Sequence, residues 1–404
     1  MPSSRDLPLL FATRITRLFA YGFLSVILAL YLIQVGLKEG EIGLLLTLTL
    51  AGDAVISLWI TTSADRLGRR RMLIIGALLM AFAGLTFALT ESFALLVVAA
   101  IIGVISPSGN EIGPFISIEQ AALSQLFPKE KRTQVFAWYN LVGSFATALG
   151  ALASGLLAQQ LQYGGATPLE SYRIVLAGYV AAGLILAVLF LFLSPEIETT
   201  PSLHQGPRTL GLHQSKGVVF KLSALFALDA FGGGLVLQSI MAYWFHVKFG
   251  ASEALLGSIF FGANLLAGIS ALLAARIAAR IGLINTMVFT HLPSNILLCL
   301  VPFMPTLPLA IGVLLVRYSI SQMDVPTRQA YTMAVVAPDE RSAASGVTTI
   351  ARSVGAAISP AISGAMLAVP ALLGAPFLLA GGLKIVYDLL LYRAFVTVKP
   401  PDQP

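Results

Sequence analysis

The chain has 404 residues, 57% of them hydrophobic and only 11% charged. Soluble domains carry about 25% charged residues, so most of this chain lies in lipid or in a large buried bundle, and repeated apolar runs near 20 residues favour lipid. The net charge of +6 does not call for nucleic acid, because the cations gather in short loops between apolar runs, and the single cysteine, Cys299, excludes an intrachain disulfide or a cysteine metal cluster.

Taken in order, the apolar runs predict twelve membrane-spanning helices, over 9–35, 42–63, 72–90, 93–127, 134–162, 171–194, 219–248, 254–281, 285–304, 307–336, 343–372 and 374–397. Runs near 20 residues cross about 30 Å of hydrocarbon at 1.5 Å per residue. The first run has no cleavage site before a polar domain, so it is read as a retained helix rather than a signal peptide. Turn chemistry marks the breaks, as at Gly36-Leu37-Lys38-Glu39-Gly40, Pro128-Lys129-Glu130-Lys131-Arg132 and Pro338-Asp339-Glu340-Arg341. One long polar connection, 195–218, divides the chain into predicted bundles over 1–194 and 219–404.

The tightest polar knot is Ala64-Asp65-Arg66-Leu67-Gly68-Arg69-Arg70-Arg71, between the second and third spans. Four arginines so close to helix ends fix sidedness, because cytoplasmic loops hold the excess of Lys and Arg. With this loop inside, the outer loops carry Lys38, Arg173 and Lys248. The inner ones carry Arg66, Arg69, Arg70, Arg71, Lys129, Lys131, Arg132, Arg208, Lys216, Arg276, Arg280 and Arg341. Both termini and the 195–218 connection are then cytoplasmic, in a cell membrane of prokaryotic type.

The order Asp65-Arg66-Leu67-Gly68-Arg69 resembles the loop between helices 2 and 3 of the major facilitator superfamily, with Thr61 where the family's motif opens on glycine. An internal repeat points the same way. Glu119, Arg132 and Gly155 align with Arg328, Arg341 and Gly364 at a shift of 209 (328 − 119), and Tyr31, Val35 and Glu41 align with Tyr243, Val247 and Glu253 at a shift of 212 (243 − 31). Arg280-Ile281-Gly282 is a worn copy of the motif. The resemblance implies two pseudo-symmetric six-helix bundles around a midplane site, with helices 1, 4, 7 and 10 lining the cavity.

An ionisable side chain at the centre of a membrane helix costs about 2.5–3.5 kcal/mol on insertion scales, so each one is a functional candidate. Those here are Arg14, Arg17, Asp53, Glu111, Glu119, Asp229, Arg317, Asp324, Arg328, Arg352, Lys384 and Asp388. The repeat superposes Arg17 on Asp229 and Glu119 on Arg328, opposite charges at symmetric positions, each roughly 14 Å from the cytoplasmic end. This predicts a four-charge layer, Arg17 with Glu119 and Asp229 with Arg328, either a partner-exchanging device or a static self-neutralising network.

Two stretches cannot run as smooth helices: Ser106-Pro107-Ser108-Gly109-Asn110-Glu111-Ile112-Gly113-Pro114 and Arg317-Tyr318-Ser319-Ile320-Ser321-Gln322-Met323-Asp324-Val325-Pro326. Interrupted helices often mark transporter sites. Asn110, Glu111, Arg317, Gln322 and Asp324 are therefore expected to contact substrate or proton. Glu111 is the first expectation for the proton, since its own helix offers no cation within a turn. Arg317 and Asp324, seven apart, are expected on one face.

Asp53 and Arg352, at matching depths on helices that meet between the halves in the resembled family, are expected to form a gating salt bridge. The Asp65, Arg66, Gly68 and Arg69 motif is by resemblance a latch, its carboxylate capping the N-terminus of the eleventh helix. Tyr243 and Trp244 read as a membrane-interface belt, Gly232-Gly233-Gly234 as close packing or a hinge, and His204, His213, His246 and His291 as scattered, without metal-ligand spacing.

These observations predict a secondary transporter working by rocker-switch alternating access. There is no phosphate-binding loop of the Gly-x-x-x-x-Gly-Lys-Ser/Thr type, so the expectation is no cofactor, a proton gradient as drive, a small-molecule substrate, lipid as the other partner, and a monomer. Proton-coupled export of a small organic compound leads. The family's drug/proton antiporters carry an arginine in helix 4 and a Gly-Pro motif in helix 5, where this chain has Glu111 and Gly143, Gly150 and Gly155 without proline. That keeps uptake or uniport of an organic anion, or of a metal or other cation, open. A membrane-embedded enzyme lacks a nucleophile–base pair here, and a non-transporting sensor lacks a soluble signalling domain.

Overall fold

The computed structural model describes residues 5–111, 115–127, 129–198, 212–337 and 340–397, without the side chains of Asp65, residues 129–133 and Ser342. In chain order its helices are α1 (Asp6–Ser25), α2 (Leu28–Gln34), α3 (Glu39–Leu67), α4 (Arg69–Leu89), α5 (Phe93–Ile102), α6 (Phe115–Leu126), α7 (Lys129–Tyr163) and α8 (Pro168–Leu191). They continue with α9 (Lys216–Leu235), α10 (Gln238–Phe249), α11 (Glu253–Ile281), α12 (Leu283–Leu300), α13 (Leu307–Tyr318), α14 (Asp324–Val335), α15 (Arg341–Leu367) and α16 (Ala375–Phe395). Among the described residues there is no strand.

Ten helical spans are long and apolar enough to cross a membrane. The other two predicted spans, the fourth and the tenth, are each broken, into α5 and α6 and into α13 and α14. The first and seventh spans break as well, into α1 and α2 and into α9 and α10. The result is the twelve-helix, all-α membrane fold of the sequence reading, with every third span interrupted. Local chemistry accounts for the fourth break: Pro107 has no amide hydrogen to give, and Gly109 takes a positive φ of 69° that side-chain-bearing residues rarely adopt.

Helix ends follow from sequence too. Gly68 and Gly282 stop α3 and α11 with φ of 101° and 85°, the same device at the motif and at its worn copy. At α8, Thr167 and Glu170 form a reciprocal capping box ahead of Pro168, satisfying amides that otherwise have no helical partner.

The repeat reappears in the packing. α1 lies along α7 and α4 along α8; in the second half α9 lies along α15 and α12 along α16. Glycines permit the closest approaches, since a Cβ on Gly22 would collide with the Thr147 carbonyl, and one on Gly355 with that of Ala227. Small residues at such crossings let backbones pack where lipid supplies no hydrophobic drive. Gly234, from the glycine triplet, meets Ala356 and Ser359 in this way, so the triplet serves close packing.

By contacts the chain forms two units, Met1–Leu203 with Leu237–Leu265, and His204–Val236 with Leu266–Pro404. Segment 237–265 joins the first unit through specific bonds. Tyr172 and Gln162 donate to Glu253 Oε1 at 2.6 and 3.0 Å, and Gln238 donates to Ser25 Oγ at 2.7 Å.

Candidate functional site

The first unit holds a closed charge cluster on the broken spans. From α1, Arg17 places Nη2 at 2.6 Å from Glu119 Oε2 on α6, and its Nε at 2.9 Å from Glu111 Oε1 in the fourth-span interruption. Arg14, one helical turn earlier, binds Glu111 Oε2 and approaches Asn140 on α7 at 3.4 Å. Glu119 also accepts from Thr13 Oγ1 at 2.7 Å and from the Tyr139 hydroxyl. Arg17 and Glu119 are fully buried. The Arg14 guanidinium lies 4.6 Å above the Tyr139 ring and that of Arg17 lies 4.8 Å above Phe115, cation–π contacts that favour a desolvated guanidinium. Gly143 makes room, since a Cβ there would sit 2.7 Å from Arg14 Nε. Two carboxylates face two guanidiniums, so the charges balance, while Arg14 Nε is buried without a hydrogen-bond partner among the described residues.

This changes the reading of Glu111. Its own helix supplies no cation, but α1 supplies two, and a proton on Glu111 would deprive both of a shared counter-ion. Asn110 is exposed, its backbone tied to the hydroxyls of Ser106 and Ser108.

The second unit holds a larger cluster around Asp229 of α9. Its Oδ1 accepts from Lys384 Nζ of α16 at 2.6 Å, and its Oδ2 from Arg328 of α14 at 3.2 Å and Arg352 of α15 at 3.1 Å. Arg328 also reaches Asp324 Oδ2, four residues earlier, at 2.8 Å. The expected pairs Arg17–Glu119 and Asp229–Arg328 are thus in contact, each within its own half, and Arg352 has a partner in Asp229 that sequence reasoning did not give it. Its side chain is 34% exposed where that of Asp229 is 4% exposed, so Arg352 is the least enclosed of the cations on Asp229.

The shared face expected for Arg317 and Asp324 is corrected. The helix stops at Tyr318 and restarts at Asp324, so a seven-residue helical repeat does not connect them. Asp324 turns into the cluster, whereas the Arg317 guanidinium lies 4.9 Å above the Tyr318 ring. Gln322 is half-buried in the intervening turn.

Sequence reasoning missed one component. His291 of α12, set aside as a scattered histidine, is buried with Nδ1 at 2.8 Å from Asp388 Oδ1 of α16, while Asn295 donates to Asp388 Oδ2 at 2.9 Å. His291 Nε2 lies 3.8 Å from Asp229 Oδ1. The signals were present: His291 and Asn295, and Lys384 and Asp388, are polar pairs at i, i+4 on otherwise apolar helices.

The expected gating residues sit as follows. Asp53, half-buried in α3, accepts from Ser57 Oγ at 3.4 Å; its expected bridge to Arg352 would join the two units. The Asp65 side chain lies outside the described residues. Arg66 is exposed, whereas Arg69 is buried and donates to the Ile197 carbonyl at 3.1 Å. Glu198 accepts from the backbone amides of Arg69 and Arg70 at 2.6 and 3.2 Å, capping α4 directly after Gly68. Glu340 does the same for α9, accepting from the amides of Gln214 and Ser215 at 2.7 and 2.8 Å and from that of His213. Burial alone would raise the Glu340 carboxyl, but bonds from Ser215, His213 and Gln214 overcome it and bring it to about 2. Helix N-termini are natural seats for carboxylates.

The sequence profile of the Major Facilitator Superfamily matches residues 10–360, and it covers the broken spans and most of both clusters. The chain belongs to the major facilitator superfamily. It is 33% identical to a Saccharomyces cerevisiae protein named Uncharacterized membrane protein YJR124C, over 98% of this chain and 95% of the relative. A 138-residue stretch, 34% of each chain, is 24% identical to the quinolone resistance protein NorA of Staphylococcus aureus. Among solved superfamily structures, a bacterial homologue of the human lysosomal transporter Spinster, inward-facing and unoccupied, superposes with a TM-score of 0.73 at 16% identity, covering 98% of this chain and 96% of that one. A D-xylose–proton symporter superposes at 0.72 and 15% identity, covering 96% and 97%. At these identities the structural likeness carries the fold alone. Membership makes this a membrane transporter rather than an enzyme.

Proposed function

We propose that this superfamily member is a secondary active transporter that exports a small organic solute in exchange for protons, by alternating access of two six-helix bundles in a cell membrane. The observation that carries the reading is the pair of buried charge clusters, each built around charges on interrupted spans, Arg17 with Glu119 and Asp229 with Arg328. Charges this deep are costly, and the breaks in the first, fourth, seventh and tenth spans expose backbone polar groups that membrane proteins accept beside a cavity. Support for export comes from the stretch shared with NorA, whose name attaches it to quinolone resistance.

In this reading Asn110, Arg317 and Gln322, on the broken spans, offer the substrate polar contacts. Arg17, Glu111, Glu119, Asp229, Asp324 and Arg328 set the field around it. Asp53 with Arg352 gates one side, and Asp65, Arg66, Gly68 and Arg69 latch the cytoplasmic side, where both termini lie. The protein works as a monomer with no cofactor beyond the proton gradient.

The test is proton release from purified wild-type protein in weakly buffered detergent, challenged with a library of amphipathic and organic compounds. Export by exchange predicts compounds whose binding releases protons. Compounds that bind with no proton release assign uniport or another coupling ion and overturn the antiport reading.

A further inference from the structure

We propose that His291 is the proton-binding site of the second half, with Nε2 as the atom that takes the proton and Asp229 as the group that reads it. The proposal deepens the proton-coupled reading by naming a site; the protonation itself can be measured without any transport.

The geometry assigns the two ring nitrogens different work. Nδ1 has two neighbours, Asp388 Oδ1 at 2.8 Å and the Asn295 amide nitrogen at 3.2 Å; the shorter contact is to a carboxylate, which accepts when ionised, and it assigns the hydrogen to Nδ1. Asn295 donates to the other Asp388 oxygen at 2.9 Å, which holds the carboxylate against rotation. Nε2 is then the bare nitrogen, and it faces Asp229 Oδ1 at 3.8 Å. A carboxylate on one ring nitrogen and a second carboxylate beyond the other is an arrangement that suits an imidazolium as well as an imidazole.

Charge arithmetic points to the same atom. Asp229, Asp324 and Asp388 supply three negative charges, and Arg328, Arg352 and Lys384 supply three positive ones, so the cluster is neutral with His291 neutral. The first cluster has no such spare group, because both of its cations are arginines, which do not release protons. His291 is surrounded on every packed side: α16 brings Asp388, Lys384 and Tyr387, whose ring lies 5.9 Å from the imidazole; α9 brings Asp229; α14 brings Asp324 and Arg328; α15 brings Arg352 through Asp229; and α13 carries Arg317.

A proton on Nε2 creates an imidazolium that competes for Asp229 Oδ1, the oxygen now held by Lys384 at 2.6 Å. Asp229 already holds two arginines on its other oxygen, so a fourth cation weakens the hold on all of them. Arg352 is the least enclosed of the cations on Asp229, one-third exposed, and it is the one freed first. Proton binding at His291 is thereby linked to release of Arg352, a residue of the proposed gate.

The experiment is ring-¹⁵N NMR of full-length protein in lipid nanodiscs, with His204→Gln, His213→Gln and His246→Gln so that His291 is the one histidine left of four. Should that triple variant fail to fold, the spectrum of His291→Gln subtracted from wild type isolates the same signals. The expected result, over a titration covering about pH 5 to 8, is the Nδ1–H tautomer at the high end and one reversible step to imidazolium as the pH is lowered. Asp388→Asn and Asp229→Asn each displace that step by about one to three pH units. A ring that stays in one neutral tautomer across this range, or a step that neither substitution moves, overturns the proposal. Wild-type protein whose His291 titrates but which never exchanges protons for a ligand overturns antiport and leaves the site standing.

Discussion

The two charge clusters both draw on broken spans, the second adding groups from the unbroken α12, α15 and α16, and they are built from different cations. The first is Arg14 and Arg17 against Glu111 and Glu119, with Tyr139 and Thr13 taking up the remaining lone pairs. The second gathers Asp229, Asp324 and Asp388 with two arginines, one lysine and one histidine. Arginine does not release its proton, and each carboxylate of the first cluster is paired with a guanidinium, which suits a fixed strut. A cluster with a histidine between two carboxylates has a protonation state to change. Equivalent positions in a duplicated fold have thus been given unequal chemistry, and the coupling is expected in the second half.

The sharpest way to break this contrast is Glu119→Gln. It removes one of the two carboxylates that hold the buried Arg17, and breaking a buried pair costs about 3–5 kcal/mol. The expected outcome is a large drop in thermal unfolding midpoint in detergent, much of it recovered in Arg17→Met/Glu119→Met, because replacing a whole buried pair is often close to neutral. A harmless Glu119→Gln would show that the first cluster is not the strut described.

Next in size are the glycine crossings, which compare the halves where they should agree. Gly22→Ala and Gly355→Ala each force a Cβ onto a facing carbonyl, and overpacking of this kind costs about 1–3 kcal/mol. Similar losses at the two sites, read from unfolding midpoints, would confirm equal packing beneath unequal chemistry; a loss at one alone would break the symmetry.

The smallest effect is expected at Glu340. Its carboxyl goes from an ordinary 4.5 when unfolded to about 2 when folded, so its contribution is present above about 4.5 and is lost as pH falls through about 2. The difference in unfolding midpoint between wild type and Glu340→Gln should therefore be full near neutrality and shrink as pH falls from 4.5 towards 2.

Much of this was legible in the sequence because lipid imposes one-dimensional rules. Span length, the arginine-rich loop at Gly68 and the proline–glycine breaks at 106–114 are local, and each maps onto one place in the helix order. The pairs Arg17–Glu119 and Asp229–Arg328 were legible through the repeat, which relates distant positions without any knowledge of packing. Glu198 and Glu340 were not, because capping by a side chain from another segment has no spacing signature. Nor was the state of Glu111, whose two cations come from a different span.

The sequence by itself determined twelve apolar spans, their punctuation and the presence of charges that cannot stand alone in hydrocarbon. Which charge meets which was decided by tertiary structure. His291 and Asp388 are 97 residues apart, and only the lie of α12 along α16 brings an imidazole and a carboxylate within hydrogen-bonding distance. The physical reason is range: hydrophobic length is a property of a segment, whereas an ion pair or a proton site exists only at about 3–4 Å between atoms, a separation that chain order does not encode.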